Sequence, residues 1–571
     1  MNEEQEQKSI QLRALLAFAL AAVVLFAYQY FLVKPAPRGN PLPAVPAEPK
    51  APPPAEAAAK PAPAAKKEGA SAPPAAAASE QTFIVETDTF LVALSNRGAV
   101  VTSWTLKLYK NESGRPLELV NTASAAEAGY PFSVVARSNT PPVDVNKALF
   151  QVETTPAAAR GTVAAPITLT FRWSDGSVTA RKMFRFAKSS YQVEVESELH
   201  HNGAAVPHLL GWRGGFGDAA VADAANSVKT FYYDTTQGKV VRQEAKDAEK
   251  GPLLNAGNYL FAGVEDLYFA AAFLPADRGR PLELETSALE TVTSHKKTKQ
   301  LFAGAAVGSA GPNKFLAYVG PKNLQALRSV RAELEKLVDF GSYLWFIAYP
   351  LFVMLSWTHG WVPNFGWAII LVTIVINFLL FPLKLKSMQS MKKMQKLQPM
   401  VKQINDKFKN LSLRDPKRQE QNKEVMDLYS KYGVNPMGGC LPLLLQLPFF
   451  FAFYTVLTIS IEMRHARWLW IGDLSARDAI FLLPILMIGT QFWYQKMTPT
   501  TSADPTQQKI MKYMPLVMGF FFYSLPSGLV LYWVTGNLVG IAQQWFINRL
   551  PEPVMEAEMA KKGKHKAKGN R

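Results

Sequence analysis

The sequence predicts a multi-domain chain: an all-β extramembrane domain, then an α-helical polytopic membrane core of five helices, with one additional N-terminal transmembrane anchor. Three observations carry this reading. Five apolar segments, at 366–383, 440–461, 479–495, 513–525 and 528–547, alternate with charged loops, and several are long enough to cross a hydrocarbon core of about 30 Å. Ahead of them, residues 82–338 show short alternating runs broken by Gly, Asn, Asp and Pro, the pattern of half-buried strands. An apolar run at 12–33 opens the chain.

Composition agrees. The 571 residues exceed one domain, and a near-zero mean hydropathy averages a water-soluble part with a membrane part. The formal charge of +17, from 62 Lys plus Arg against 45 Asp plus Glu, suits nucleic acid, anionic lipid or a ribosome surface. The single cysteine, Cys440, allows no intramolecular disulfide.

Residues 1–33 hold the anchor. The run is long for a signal peptide, and Tyr28, Tyr30 and Phe31 make a poor cleavage site. Residues 34–81 are dominated by Pro and Ala and form an extended linker. The β domain, 82–338, shows no nucleophile elbow, no phosphate-binding loop and no spaced metal ligands, so no cofactor or metal is expected. His200 and His201 are adjacent and read as surface or loop residues. Residues 339–363, with Trp345, Trp357 and Trp361, read as an interfacial amphipathic helix.

The core is placed at 364–548. None of its five spans contains Asp, Glu, Lys, Arg or His, yet Thr373, Asn377, Gln446, Gln491, Tyr532, Asn537, Gln543 and Gln544 lie within them. Spacings of four put Thr373 with Asn377, Gln446 with Phe450, and Trp533 with Asn537 on shared helix faces. The cytoplasmic loop 384–434 reads as a helical hairpin. Met388, Met391, Met394, Leu397, Val401, Ile404 and Phe408 recur on one face. Such a stripe either packs as a two-helix seam or offers pliable methionines to apolar segments of a substrate. Lys561, Lys562, Lys564, Lys566 and Lys568 make 549–571 a basic tail, suited to anionic lipid or to ribosomal RNA phosphates.

Three strings, NPMGGCLPLLLQLP at 435–448, QKMTPTTSADPTQQKIMKYMP at 495–515 and LPSGLVLYWVTGN at 525–537, closely resemble the YidC-type membrane protein insertases in their Gram-negative form. SNRGA at 95–99 and GGFGD at 214–218 look like recurring turns of that family's periplasmic domain. The resemblance implies a mutarotase-like β-supersandwich and a location in the bacterial inner membrane, with the large domain periplasmic. It also implies an insertase and chaperone, not an enzyme, that releases nascent apolar segments into lipid through a polar groove, alone or with the Sec translocon. Nascent membrane proteins, the ribosome, the Sec translocon and membrane lipids are the implied partners, and DNA is not. Trp533 matches a position near Thr373, while Leu447, Phe450 and Phe521 match the path of departing substrate helices. Many bacterial members carry a groove arginine five residues before the proline matching Pro382; here that residue is Asn377.

A secondary transporter would show intramembrane ionisable groups or inverted repeats, and a membrane-tethered, glycan-acting periplasmic enzyme would need a paired acid and base. Neither pattern is visible. Charge bias sets the orientation: positions 384–431 carry 13 Lys plus Arg against 5 Asp plus Glu, and 549–571 carry seven against three, so both termini are expected in the cytoplasm. With Cys440 replaced, Ser412→Cys and Gly569→Cys should react with impermeant maleimide only from the cytoplasmic side, and Ala125→Cys only from the other. Labelling of Ser412→Cys from outside would reverse the orientation.

Overall fold

The computed structural model describes residues 74–551 except 112, 137–140, 158–160, 219–226, 278–280, 293–298, 310, 342–343, 409–416, 435–440 and 500–504. The expected anchor, most of the linker, Cys440, the hairpin turn and residues 552–571 lie outside them. Two compact units divide the rest: 393–435, and 67–392 together with 436–553.

The β domain forms where the alternating runs were read. Ile167–Ser174 and Val178–Phe186 bury alternate side chains, as strands with one wetted face do. They pair within a ten-stranded sheet that runs from Lys239–Glu244 at one edge to Gln151–Thr155 at the other. Two five-stranded sheets complete the sandwich, one holding Val100–Lys110 and the other His208–Trp212. Aromatic rings tie the three sheets together. Trp104 lies 6.3 Å from Trp212, and Phe132 lies 6.2 Å from Trp212, 5.4 Å from Phe184 and 5.6 Å from Phe273.

Both recurring turns have structural explanations. In SNRGA, Gly98 and Ala99 adopt positive φ, and their carbonyls, with that of Phe132, accept hydrogen bonds of 2.8, 3.2 and 2.7 Å from the buried Lys182 ammonium. In GGFGD, Gly217 has φ +85°, and a Cβ there would meet the Asp266 carboxylate at 1.9 Å. The adjacent Asp218 forms a buried ion pair with Arg464, which follows the core's second apolar segment. Asn323 donates to neighbouring Glu462 at 2.8 Å, so the β domain is held to this loop at two points.

Short helices lie at Thr122–Ala128 (α1) and Leu324–Val330 (α2). Trp345–Trp361 (α3) corrects the amphipathic expectation. Its exposed stripe is Trp345, Phe346, Val353, Trp357 and Trp361, so both faces are apolar, and the exposed tryptophans are of the kind enriched at membrane–water interfaces. The core follows as Phe365–Leu379 (α4), Phe381–Lys407 (α5), Lys417–Lys431 (α6), Leu441–Ile459 (α7), Leu482–Met497 (α8), Pro505–Phe522 (α9) and Ser527–Arg549 (α10). Segment 513–525 is thus only the second half of a helix that begins eight residues earlier.

No single helix among the described residues is long and apolar enough to cross a membrane; only α4 and α5 together are, bent by 59°. At 1.5 Å per residue, α4 reaches only about 22 Å. The bundle is nonetheless apolar outside. Phe378, Leu379 and Phe520 are 65%, 73% and 85% exposed, beside exposed Leu371, Val375, Ile485 and Val517. An apolar surface this continuous marks a face that meets lipid or a partner.

His200 and His201 end a strand, half-buried. His208 is a histidine that the sequence reading did not single out. Its ring is buried, with Nδ1 3.0 Å from the Val206 carbonyl and Nε2 2.8 Å from the Ser197 hydroxyl, and burial pushes its pKa down to about 4. The unfolded chain therefore takes up a proton below about 6.5 that the native one refuses. Stability is full above pH 6.5 and falls, by about 3 kcal/mol for this group, as pH drops to about 4. His208→Gln should flatten that part of the pH dependence in thermal melts of the detergent-solubilised chain. An unchanged slope would contradict the assignment.

Candidate functional site

The polar residues of the spans form two hydrogen-bonded sets. The first begins on α4, whose buried face carries Gly366, Ile369, Val372, Thr373, Ile376 and Asn377. Thr373 Oγ1 donates to the Ile369 carbonyl at 2.6 Å, and Asn377 Nδ2 donates to the Thr373 carbonyl at 2.9 Å. Both side chains bond back onto their own helix, so their spacing is used within α4. Gln543 on α10 reaches across and donates its Nε2 to the Asn377 carbonyl at 3.0 Å. Its Oε1 accepts from Lys384 Nζ, also at 3.0 Å, and that ammonium lies 5.1 Å from the Tyr494 ring centroid.

The helix break explains why this set exists. Pro382 has no N–H, is tolerated in the first turn of α5, and prevents α4 from continuing. Leu380 N–H closes the end of α4 on the Ile376 and Phe378 carbonyls, and Gln543 supplies a donor to the Asn377 carbonyl between them.

The second set joins α7, α8 and α10. Gln446 Nε2 donates to the Tyr532 hydroxyl at 2.7 Å, and Tyr532 stacks on Phe453 at 4.1 Å. Trp533 Nε1 donates to Gln491 Oε1 at 3.2 Å, and Asn537 Nδ2 to Thr490 Oγ1 at 3.1 Å. Phe450, Phe522 and Trp533 close an aromatic triangle with centroid separations of 5.4, 4.9 and 5.8 Å. The expected residues thus divide. Trp533, Asn537, Phe450 and Gln446 fall together, while no hydrogen bond joins Trp533 to Thr373. Leu447 is exposed and Phe521 is 39% exposed, whereas Phe522, 1% exposed, is the ring inside the triangle.

The methionines are packed. Met388 and Met391 are buried with Ile547, and Met394 with Leu397 and Val434. The exposed methionines of the hairpin are Met400 and Met426. Lys384, Gln543, Tyr494, Thr490 and Phe522 belong to the arrangement without having been chosen as site residues. For Gln543 the signal was present, a glutamine inside an apolar segment. Among the described residues no cluster of His, Cys, Asp or Glu could hold a metal ion.

A seam of amides, hydroxyls and one ammonium inside a bundle with an apolar exterior, tied to an extramembrane β-sandwich, defines an integral membrane protein whose interior is more polar than its surface. Residues 357–553 match the family model described as 60Kd inner membrane protein, and residues 82–354 match that of the YidC periplasmic domain. A protein of Syntrophus aciditrophicus named membrane protein insertase YidC is 36% identical over 563 residues, covering 94% of this chain and 99% of its own. One of the same name from Geotalea daltonii is 33% identical over 558 residues, covering 94% and 99%. The chain belongs to the YidC family of membrane protein insertases, and is a bacterial inner-membrane protein with a periplasmic domain. A crystal structure of an active YidC insertase aligns over 83% of this chain and 94% of its own, at 21% identity and a TM-score of 0.35. A galactose mutarotase-like protein from Lactobacillus casei covers 42% of this chain and 99% of its own, at 12% identity and a TM-score of 0.27.

The aromatic triangle yields a stability test. Phe522→Ala should cost about 3 kcal/mol, the loss expected for a buried ring, and lower the melting temperature of the detergent-solubilised protein. Phe521→Ala should cost much less. The reverse order would contradict this packing.

Proposed function

We infer that the two polar sets mark the path by which nascent segments enter the membrane, and that the chain inserts them without covalent chemistry or nucleotide hydrolysis. The carrying observation is the inversion of polarity, with Thr373, Asn377, Gln446, Asn537 and Gln543 inside and Phe378, Leu379 and Phe520 outside. The expensive step in insertion is moving a polar flank through hydrocarbon, where each unsatisfied backbone group costs several kcal/mol. A seam of amides and hydroxyls offers replacement partners along part of that distance. Phe450 and Trp533 supply adaptable apolar contact beside it, and Leu447 and Phe521 stand toward the exit. In this reading both termini are cytoplasmic, the N-terminal segment anchors the chain, and the basic tail meets the ribosome. The chain acts alone or with the Sec translocon.

Thr373→Leu combined with Asn377→Leu should slow insertion of substrates with polar translocated tails more than purely apolar ones, measured by protease protection in proteoliposomes. A photo-crosslinking residue at Phe450 should capture a stalled nascent segment, and one at outward-facing Val375 should not. Equal capture at both sites, or full activity of the double variant, would remove the seam from the mechanism.

A further inference from the structure

We propose that the turn between Trp468 and Ile471 is a lipid foot: its tip, Leu469, enters the outer leaflet beside α4, and Arg467 and Arg477 take headgroup phosphate. This foot is separate from the insertion path and does not depend on it.

The turn is built to hold an apolar residue outside. Trp468 and Ile471 exchange backbone hydrogen bonds of 2.9 and 2.8 Å, which leaves Leu469 and Trp470 as the two central residues. Leu469 adopts φ +48°, a left-handed conformation that a two-residue turn ordinarily gives to glycine at this position. Its side chain is 67% exposed, and that of Trp470 is 38% exposed. A leucine held where glycine would sit more readily, with its side chain in the open, gains nothing from the fold itself.

Its surroundings identify what covers it. Trp468 is buried against α4, where a Cβ on Gly366 would meet its ring at 2.2 Å, and Trp367 packs edge-on against it at 5.7 Å. Asn364, which caps α4, also donates its Nδ2 to the Arg467 carbonyl at 2.9 Å. The turn is thus fixed at the first residues of α4. From Trp367 the exposed Leu371, Val375 and Leu379 follow along that helix at spacings of four, one continuous apolar stripe. Tryptophans at the end of such a stripe mark the headgroup level. The Asp218–Arg464 pair holds the periplasmic domain to this same loop, so the tip faces the outer leaflet and the domain stands on it.

Charge points the same way. By count the loop 460–478 is neutral, with Arg464, Arg467 and Arg477 against Glu462, Asp473 and Asp478. The fold separates them. Glu462 accepts from Asn323, Asp473 from Ser475, and Asp478 from the backbone N–H groups of Ile480 and Leu483, while Arg464 is buried with Asp218. Arg467 and Arg477 stay exposed, and among the described residues neither forms an ion pair. The outward charge of the loop is therefore positive and complements acidic phospholipid.

The test uses the full chain with Cys440→Ser, in vesicles of phosphatidylcholine with and without phosphatidylglycerol. A fluorophore on Leu469→Cys should be quenched several-fold more by spin-labelled lipid than by aqueous iodide. One on Ala205→Cys, exposed in the β domain, should show the reverse. Gly472→Cys is a second reporter that the fold tolerates, since a Cβ there meets nothing within 4 Å. Leu469→Asn accepts the same φ and should move the Gly472→Cys signal several-fold toward iodide. Arg467→Gln with Arg477→Gln should abolish the gain in lipid quenching that phosphatidylglycerol brings. Iodide-dominated quenching at both reporters would overturn the proposal, as would a Gly472→Cys signal indifferent to Leu469→Asn or a lipid preference indifferent to the arginines. Protection that rises with the protein-to-lipid ratio would assign the tip to a second copy, and protection that requires added membrane extract would assign it to another protein; either result overturns the lipid foot.

Discussion

The structure of the core depends on the break between α4 and α5. A helix that stops inside a bundle leaves carbonyls without partners, and inside a membrane no bulk water replaces them. Gln543 answers this by donating to Asn377, and in doing so it turns its oxygen toward Lys384. One glutamine thus connects α4, α5 and α10, fixes an amide dipole and places a cation beside the interior. Gly540 and Tyr494 make the accommodation sterically feasible. Polar groups placed this way satisfy the bundle, and in the proposed insertion path a substrate amide would be an equivalent partner for each of them.

The β domain follows the opposite rule, with polar groups locked instead of exchangeable. Lys182 is enclosed by three carbonyls, and Asp266 accepts the backbone N–H groups of Asp218, Tyr268 and Phe269. The Asp218–Arg464 pair joins that rigid body to the loop after α7, with the guanidinium also over the Tyr268 and Phe269 rings. Removing one member of such a buried pair typically costs about 3 to 5 kcal/mol, because the other charge is left unpaired. The domain is therefore fixed on this loop.

Much of this was legible in the sequence, and the limits have physical causes. Strands at Phe90–Ser95 and Ile167–Ser174 announced themselves by alternation. The start of α9 did not, because Lys509 and Lys512 lower the local hydropathy although they continue the same helix. Lys384 was counted only as the first cation of a loop, since charge counting ignores how far a lysine side chain reaches. Phe521 and Phe522 are neighbours in the chain, and only packing decides which ring enters the core. The Asp218–Arg464 pair spans 246 positions, a separation at which a single sequence carries no signal.

A wet interior is what distinguishes this account from a merely well-packed bundle, and the reactivity of one thiol measures it. Thr373→Cys in a Cys440→Ser background places that thiol beside Asn377, on the buried face of α4. Membrane-impermeant maleimide should modify it readily in the idle protein and slowly once a stalled nascent segment is bound. No modification in either state, with an exposed loop cysteine reacting normally, would contradict a hydrated path through the core.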